Sequence, residues 1–422
     1  MMFEMSSQTL FNLIDTFFVS KINYNAIGAL VSSSIILMLV MSIGIGISTA
    51  NGIYVANYWG SRNKKRLRGV YSNAVLIAVV VSIASALLFN MFIEDVINLI
   101  DLSGALRKYA QMYLQIALLG LPIQFILSIN NSTLRSIGAP ALALNVMIVA
   151  NILNAIFDPL FIFYFKLGIK GAALATITSM FLSIIVQILS LYRKEIVFKL
   201  SNFNWKMAFT IVKKGVFAAM HLFFRISSML VLIKLMAEIS QTAVTSYGIV
   251  IRTYQILLFM VFGFANAAFV IVGQNLGANL IERVKKGAYD TLIIATLSIT
   301  TLDVVMFINA HTIIGIFTNN IFVMDIAKNI VFYVAISYPF IVANTVAARS
   351  SMGMHDTARP SMINFVNLWM FQLPLAYILS KRIGLNGIWI AIAVSNMTGF
   401  IMNFFLLRYN VSRIVKYGNR II

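Results

Sequence analysis

Apolar runs of about 20 residues recur along the whole chain, and that recurrence leaves few folds open. Such a run, coiled as a helix, crosses the hydrocarbon core of a bilayer. Of the 422 residues, 60% are hydrophobic and 11% charged. An ordinary soluble protein carries about 25% charged residues, so too few charges remain here to coat a water-facing globule. The pattern predicts an all-α membrane protein with twelve transmembrane helices, near 2–20, 27–56, 69–93, 107–133, 141–165, 171–192, 209–236, 243–275, 287–310, 324–350, 359–380 and 385–407. The N-terminus has neither a basic n-region nor a small-residue cleavage site, which argues against a signal peptide.

The charge is lopsided, with 32 basic and 13 acidic residues and a net charge of +19. The basic residues are not spread as a nucleic-acid surface would need. Alternate loops hold 21 of them, in clusters such as Arg62–Arg68 and Arg193–Lys214, and the intervening loops hold nine. The richer set is cytoplasmic by the positive-inside rule, which puts both termini inside and predicts no nucleic-acid partner. Arg225 and Arg252 are left over, inside helices. There is no cysteine, hence no disulfide and no thiolate metal site. There is no phosphate-binding lysine loop, and His221, His311 and His355 are too scattered for a zinc site. An intramembrane enzyme would need a paired catalytic set, and none is present. The chain is expected to be neither an enzyme nor an ATP-driven pump, and to need no cofactor.

The two halves repeat. At an offset of 217, Ala26, Gly46, Ala50, Gly60 and Pro122 match Ala243, Gly263, Ala267, Gly277 and Pro339. A little later Pro159 matches Pro374, and Gly168 and Gly171 match Gly384 and Gly387. Six helices per repeat is an even number, so both halves share one orientation, as parallel repeats do. The expected division is an N-terminal lobe at 1–192, a cytoplasmic linker at 193–208, a C-terminal lobe at 209–407 and a basic tail at 408–422.

Against this background Asp15 and Asp158 stand out. A carboxylate buried in lipid costs several kcal/mol, by order of magnitude, and usually marks a function. Neither is demanded by the repeat, since Asp15 aligns with Leu232 and Asp158 falls near Leu373. Asp15 lies six residues before Lys21, Asp158 eight before Lys166, and Thr176 six after Lys170. At 1.5 Å per residue these depths are about 9, 12 and 9 Å, one layer of the bilayer. Asn154 is one turn from Asp158 on the same face. Two carboxylates, an amide and a hydroxyl offer hard oxygen ligands for Na⁺ or a shared proton. The bland alternative is that each Asp bonds a neighbouring helix end, with Pro159 bending the helix. Gln8, Tyr113, Asn131 and Asn151 are weaker candidates for the same interior, where ordinary interhelical hydrogen bonds compete. Asp303 is a lone intramembrane acid that either pairs with a basic residue of its half or faces an aqueous crevice. His221, Arg225 and Arg252 are read first as bridges between helices.

The stretches LFNLIDTFFVS at 10–20, GIYVANYWGSRN at 52–63, LRSIGAP at 134–140, NAIFDPLFIF at 154–163, GIKGAALAT at 168–176, YGIVIRTYQ at 247–255 and VGQNLGA at 272–278 resemble the multidrug and toxic compound extrusion (MATE) family, in family order. The resemblance implies two six-helix lobes in a V around a central cavity. It is similar to the archaeal and bacterial branch with its ion site in the N-terminal lobe. By position, Asp15, Asn154, Asp158 and Thr176 would form the coupling site. Gln8, Tyr113, Asn131, Met147 and Met180 would line the cavity. Phe11 stands where relatives often carry an aromatic hydroxyl.

The expectation is therefore a secondary antiporter in the cell membrane, working as a monomer. It would export amphipathic, often cationic small molecules in exchange for H⁺ or Na⁺. The alternative is a flippase for lipid-linked oligosaccharide, which predicts fourteen helices and an arginine-rich cavity.

Overall fold

The computed structural model describes residues 2–98 and 102–417, and the side chains of residues 7, 10–98 and 102–416. Among these the chain is helical, without a strand. The helices are α1 (Met2–Ser20), α2 (Tyr24–Gly60), α3 (Lys64–Met91), α4 in two pieces (Gly104–Leu119 and Leu121–Ser136), α5 (Pro140–Tyr164) and α6 (Ile169–Arg193). They continue with α7 (Trp205–Ile239), α8 (Gln241–Gly277), α9 (Ile281–Ile308), α10 (Ile321–Gly353), α11 (Ala358–Ile383) and α12 (Leu385–Tyr417). Ten of them are each long and apolar enough to cross a membrane. The two pieces of α4 meet that test together, across a 53° bend, and the apolar part of α1 is the shorter stretch Leu10–Ser20.

The chain divides into two compact units, one holding Phe3–Ala219 and the other running from Met220 onward. The division falls inside α7. The same order of elements occurs in each unit. The second helix of each, α2 and α8, has 37 residues, and the third, α3 and α9, has 28. A short helical turn follows the third, Ile93–Asn98 and Ala310–Gly315. The fifth carries a proline and a π-helical stretch, Leu160–Tyr164 in α5 and Val366–Gln372 in α11. Glycines bring the fifth and sixth helices together: a Cβ on Gly171 would lie 2.7 Å from the Phe161 backbone, and one on Gly387 would lie 2.4 Å from that of Leu379. Backbone against backbone leaves no flexible atom to give way.

In a bilayer, helices associate through close packing and interhelical hydrogen bonds rather than by leaving water. In the first unit, Ser48 donates to the Ser128 carbonyl at 3.0 Å, Ser132 donates to the Ser48 carbonyl at 2.7 Å, and Asn51 donates to Thr133 at 2.8 Å, all between α2 and α4. In the second unit, Asn403 on α12 donates to Asn344 on α10 at 2.8 Å. The segment between α6 and α7 is pinned to α3: Ser72 accepts from the Lys199 amide at 3.1 Å, and Asn73 donates to the Asn202 carbonyl at 3.1 Å.

Candidate functional site

Within the first unit, α1, α5 and α6 turn one stripe each toward a common seam. On α1 the stripe is Ser7, Phe11 and Asp15. On α5 it is Met147, Asn151, Asn154 and Asp158. On α6 it is Thr176, Met180, Ser183 and Gln187. Each series steps by three or four residues, the spacing that keeps side chains on one helical face. Apart from the half-buried Thr176, every one of these side chains is buried.

The end of the seam nearest the turn between α5 and α6 holds the two acids. Asn154 donates its amide to Asp15 Oδ1 at 2.9 Å and to Asp158 Oδ1 at 3.3 Å. One side-chain amide therefore ties a carboxylate on α1 to one on α5. The Thr176 hydroxyl lies 3.1 Å from Asp15 Oδ2 and 3.3 Å from Oδ1. Asp15 is 6% exposed, and Asn154 and Asp158 are fully buried. Two oxygens here have no hydrogen-bond partner, Asp158 Oδ2 and Asn154 Oδ1. Among the described residues neither acid has a basic partner, and neither bonds a helix end. Pro159 follows Asp158 directly. It has no N–H to bond the carbonyl four residues back, and the helix widens into its π-helical stretch just beyond it. The buried Tyr113 on α4 is near enough to interact with both carboxylates.

The remaining candidates lie deeper along the seam. Asn131 on α4 donates to Met147 Sδ at 3.8 Å and accepts from Gln187 at 2.8 Å. Met180 packs with Phe11, Leu127, Val146, Ala150 and Ile184. Asn151 donates to the Ser7 hydroxyl at 2.7 Å and to its carbonyl at 3.0 Å. The side chain of Gln8 lies outside the described residues. Three members of the seam, Ser7, Ser183 and Gln187, were not singled out from the sequence. The signal was there: Gln187 is eleven residues after Thr176, three helical turns on the same face.

Asp303 on α9 belongs to the second unit. It is 2% exposed and its Oδ1 has no partner, nor does the nearby Thr300 hydroxyl. The group facing it is Tyr254 of α8, not an arginine or lysine. It does not share the Asp15–Asp158 site, which lies in the other unit. No group of three or more His, Cys, Asp or Glu side chains suited to a metal ion occurs among the described residues.

The comparisons agree with the helix order. The chain is 24% identical over 398 residues to the FAD transporter of Shewanella oneidensis, covering 92% of this chain and 87% of that protein. It is 25% identical over 394 residues to the probable multidrug resistance protein NorM of Thermotoga maritima, covering 91% and 84%. Among solved structures it is similar in fold to one described as MATE in the bent conformation. That likeness has a TM-score of 0.91 at 21% identity, over 99% of this chain and 94% of the other. The MatE family pattern matches residues 1–160 and 218–378, two blocks set apart by the offset of the internal repeat. With most of its length matched in this way, and the described helices in the order that the repeat demands, the chain belongs to the MATE family of membrane transporters and is not an enzyme.

Proposed function

We propose that this transporter is a secondary antiporter, which exports amphipathic organic compounds in exchange for H⁺ or Na⁺ loaded at Asp15, Asn154, Asp158 and Thr176. One observation carries the reading: two buried carboxylates share a single amide, with no basic residue to neutralise them. Two uncompensated negative charges are not tolerated in a medium of low dielectric. A cation must join them. The unpartnered oxygens of Asp158 and Asn154 are the atoms free to receive it, and carboxylate, amide and hydroxyl oxygens suit a hard cation or a proton. The names of the relatives, a FAD transporter and a multidrug resistance protein, support an organic solute as cargo.

Loading and release of the cation would change the charge of the seam between α1, α5 and α6. Antiport needs this change to oppose substrate binding, and the resulting coupling free energy is reciprocal. Tyr113, Asn131, Met147 and Met180, and Gln8 by position, are the residues through which a substrate would sense it. The basic loops support an orientation in the cell membrane with both termini cytoplasmic.

The test is transport in proteoliposomes under imposed proton or sodium gradients. Asp158→Asn keeps the shape and removes the titrating charge. Gradient-driven export is expected to fall to the leak level while the protein inserts and melts as the wild type does. Asp15→Asn is expected to act likewise. Asp303→Asn is expected to be milder, because Asp303 lies in the other unit. Wild-type export by Asp158→Asn under the same gradient would overturn the mechanism.

A further inference from the structure

Arg225 has no role in the mechanism above, and its position is costly. It lies 20 residues into α7 and 14 before its end, roughly 30 Å and 21 Å of helix. An arginine side chain cannot reach past either helix end from there, so it does not escape to the membrane surface. Its face of the helix also carries Ser228 and Leu232, both buried in the second unit. Among the described residues the Arg225 side chain makes no ion pair and no hydrogen bond; its carbonyl accepts from the Ser228 hydroxyl at 3.0 Å. What surrounds it is aromatic. Its guanidinium stands 5.6 Å from the ring centroid of Phe262 on α8, and it is near enough to Tyr247 and Tyr338 to interact with both. Tyr247 in turn stacks on Trp389 of α12, with centroids 5.6 Å apart. Trp389 is 2% exposed, and its indole N–H has no partner.

The internal repeat sharpens the point. At the offset of 217, Arg225 corresponds to Gln8, Phe262 to Ile45, Tyr247 to Leu30 and Tyr338 to Leu121. The first unit thus builds the same helices with no arginine and no ring at these places. Packing alone does not require them. A half-buried positive charge with no ion-pair partner calls for an anion, just as the paired acids of the first unit call for a cation.

We propose that Arg225, with Phe262, Tyr247 and Tyr338, forms an anion-binding subsite for the acidic group of an aromatic organic anion. A guanidinium presents donors in a planar fork that fits carboxylate, phosphate or sulfonate. The rings beside it receive a flat apolar body by stacking. Such a ligand supplies both halves of what the site lacks, a counter-charge and a surface for the rings. An inorganic anion supplies only the first. The place of this subsite in transport rests on the antiporter reading, whereas binding to it does not.

Fluorescein and rhodamine 6G share one ring system and carry opposite charges, which makes them suitable probes. Binding to the detergent-solubilised full-length protein is followed by fluorescence polarisation. Fluorescein is expected to bind more tightly than rhodamine 6G. Arg225→Gln is expected to weaken fluorescein by about tenfold to a hundredfold, the worth of a hydrogen bond to a charged group, and to leave rhodamine 6G unchanged. Arg225→Lys keeps the charge without the fork and should fall between. In wild-type protein, benzoate is expected to displace fluorescein where benzylammonium and chloride do not, a measurement that needs no variant to fold. Export and fluorescein binding are measured separately, so that loss of export in Asp158→Asn and loss of binding in Arg225→Gln report separate failures. Equal affinity for the two dyes, undiminished fluorescein binding by Arg225→Gln, or displacement by chloride as effective as by benzoate would each overturn the proposal.

Discussion

At the scale of single residues, the side chains that matter are those whose charge the fold leaves uncompensated. Asn154 is the hinge of the proposed cation site, since its amide is the one group bonded to both carboxylates. Asn154→Leu has a similar size and no donor. Losing a hydrogen bond to a charged group costs about 1.5–3 kcal/mol, a factor of ten or more. The cation concentration giving half-maximal export should shift by at least that much, read from export rates against pH or Na⁺; an unshifted curve would remove Asn154 from the site. Outside the membrane, Glu195 shows the opposite case, a charge fully matched. Lys64 bonds its carboxylate at 2.9 Å and Arg68 approaches at 3.3 Å. The bond from Lys64 holds its carboxyl below the ordinary glutamate range. The ion pair therefore favours the folded form at neutral pH, and this contribution is lost as pH falls through the lowered value. Amide hydrogen exchange in residues 195–204 should quicken on acidification, and Glu195→Gln should exchange at the quicker rate at neutral pH.

Among the elements, the helices differ from their sequence pattern where backbone details intervene. The apolar run at 107–133 reads as one helix, yet α4 bends by 53° at Gly120. The matching position in α10 is Ser337, and α10 runs on as one helix through Pro339. A Cβ on Gly120 would lie 2.5 Å from Ile177 Cγ1, so the bend brings α4 against α6. Hydropathy records how greasy a run is, not where two backbones meet. Close approach also sets tolerance to mutation. Gly171→Ala would press a methyl on the Phe161 backbone and should lower stability by about 1–3 kcal/mol. A Cβ on Gly69, near the start of α3, meets nothing within 4 Å, so Gly69→Ala should be neutral or stabilising by up to about 1 kcal/mol. Melting of the two variants in detergent separates these outcomes, and equal melting would refute the packing argument.

For the whole molecule, the repeated order of elements and the two-block family match describe a duplicated unit whose copies have diverged in polarity. The first unit buries acids at Asp15 and Asp158, where the second has Leu232 and a position near Leu373. The second places Arg225 where the first has Gln8. The orientation proposed from the basic loops is open to a direct check, because the chain has no cysteine of its own. Cysteines placed at Ser103 and Asn319 should react with a membrane-impermeant maleimide on intact cells, and those placed at Ser61 and Asn279 should not. The reverse pattern would invert the topology.

The sequence alone determined that the chain is a helical membrane protein, repeated once, with a carboxylate on each of two helices that lipid would not tolerate unaided. It could do so because hydropathy, helical spacing and a constant offset are local properties, legible along one dimension. It also put Asp15, Asp158, Thr176 and Asn154 in one layer, since depth in a helix is counted in residues. Tertiary structure decided which atoms meet. Depth says nothing about rotation of one helix against another, so the shared Asn154 amide, the partnering of Asn131 with Gln187 and of Asn151 with Ser7, and the absence of a basic neighbour for Asp303 required packed helices to show. The same holds for Arg225. Its charge is plain in the sequence, but its aromatic neighbours come from two other helices, α8 and α10.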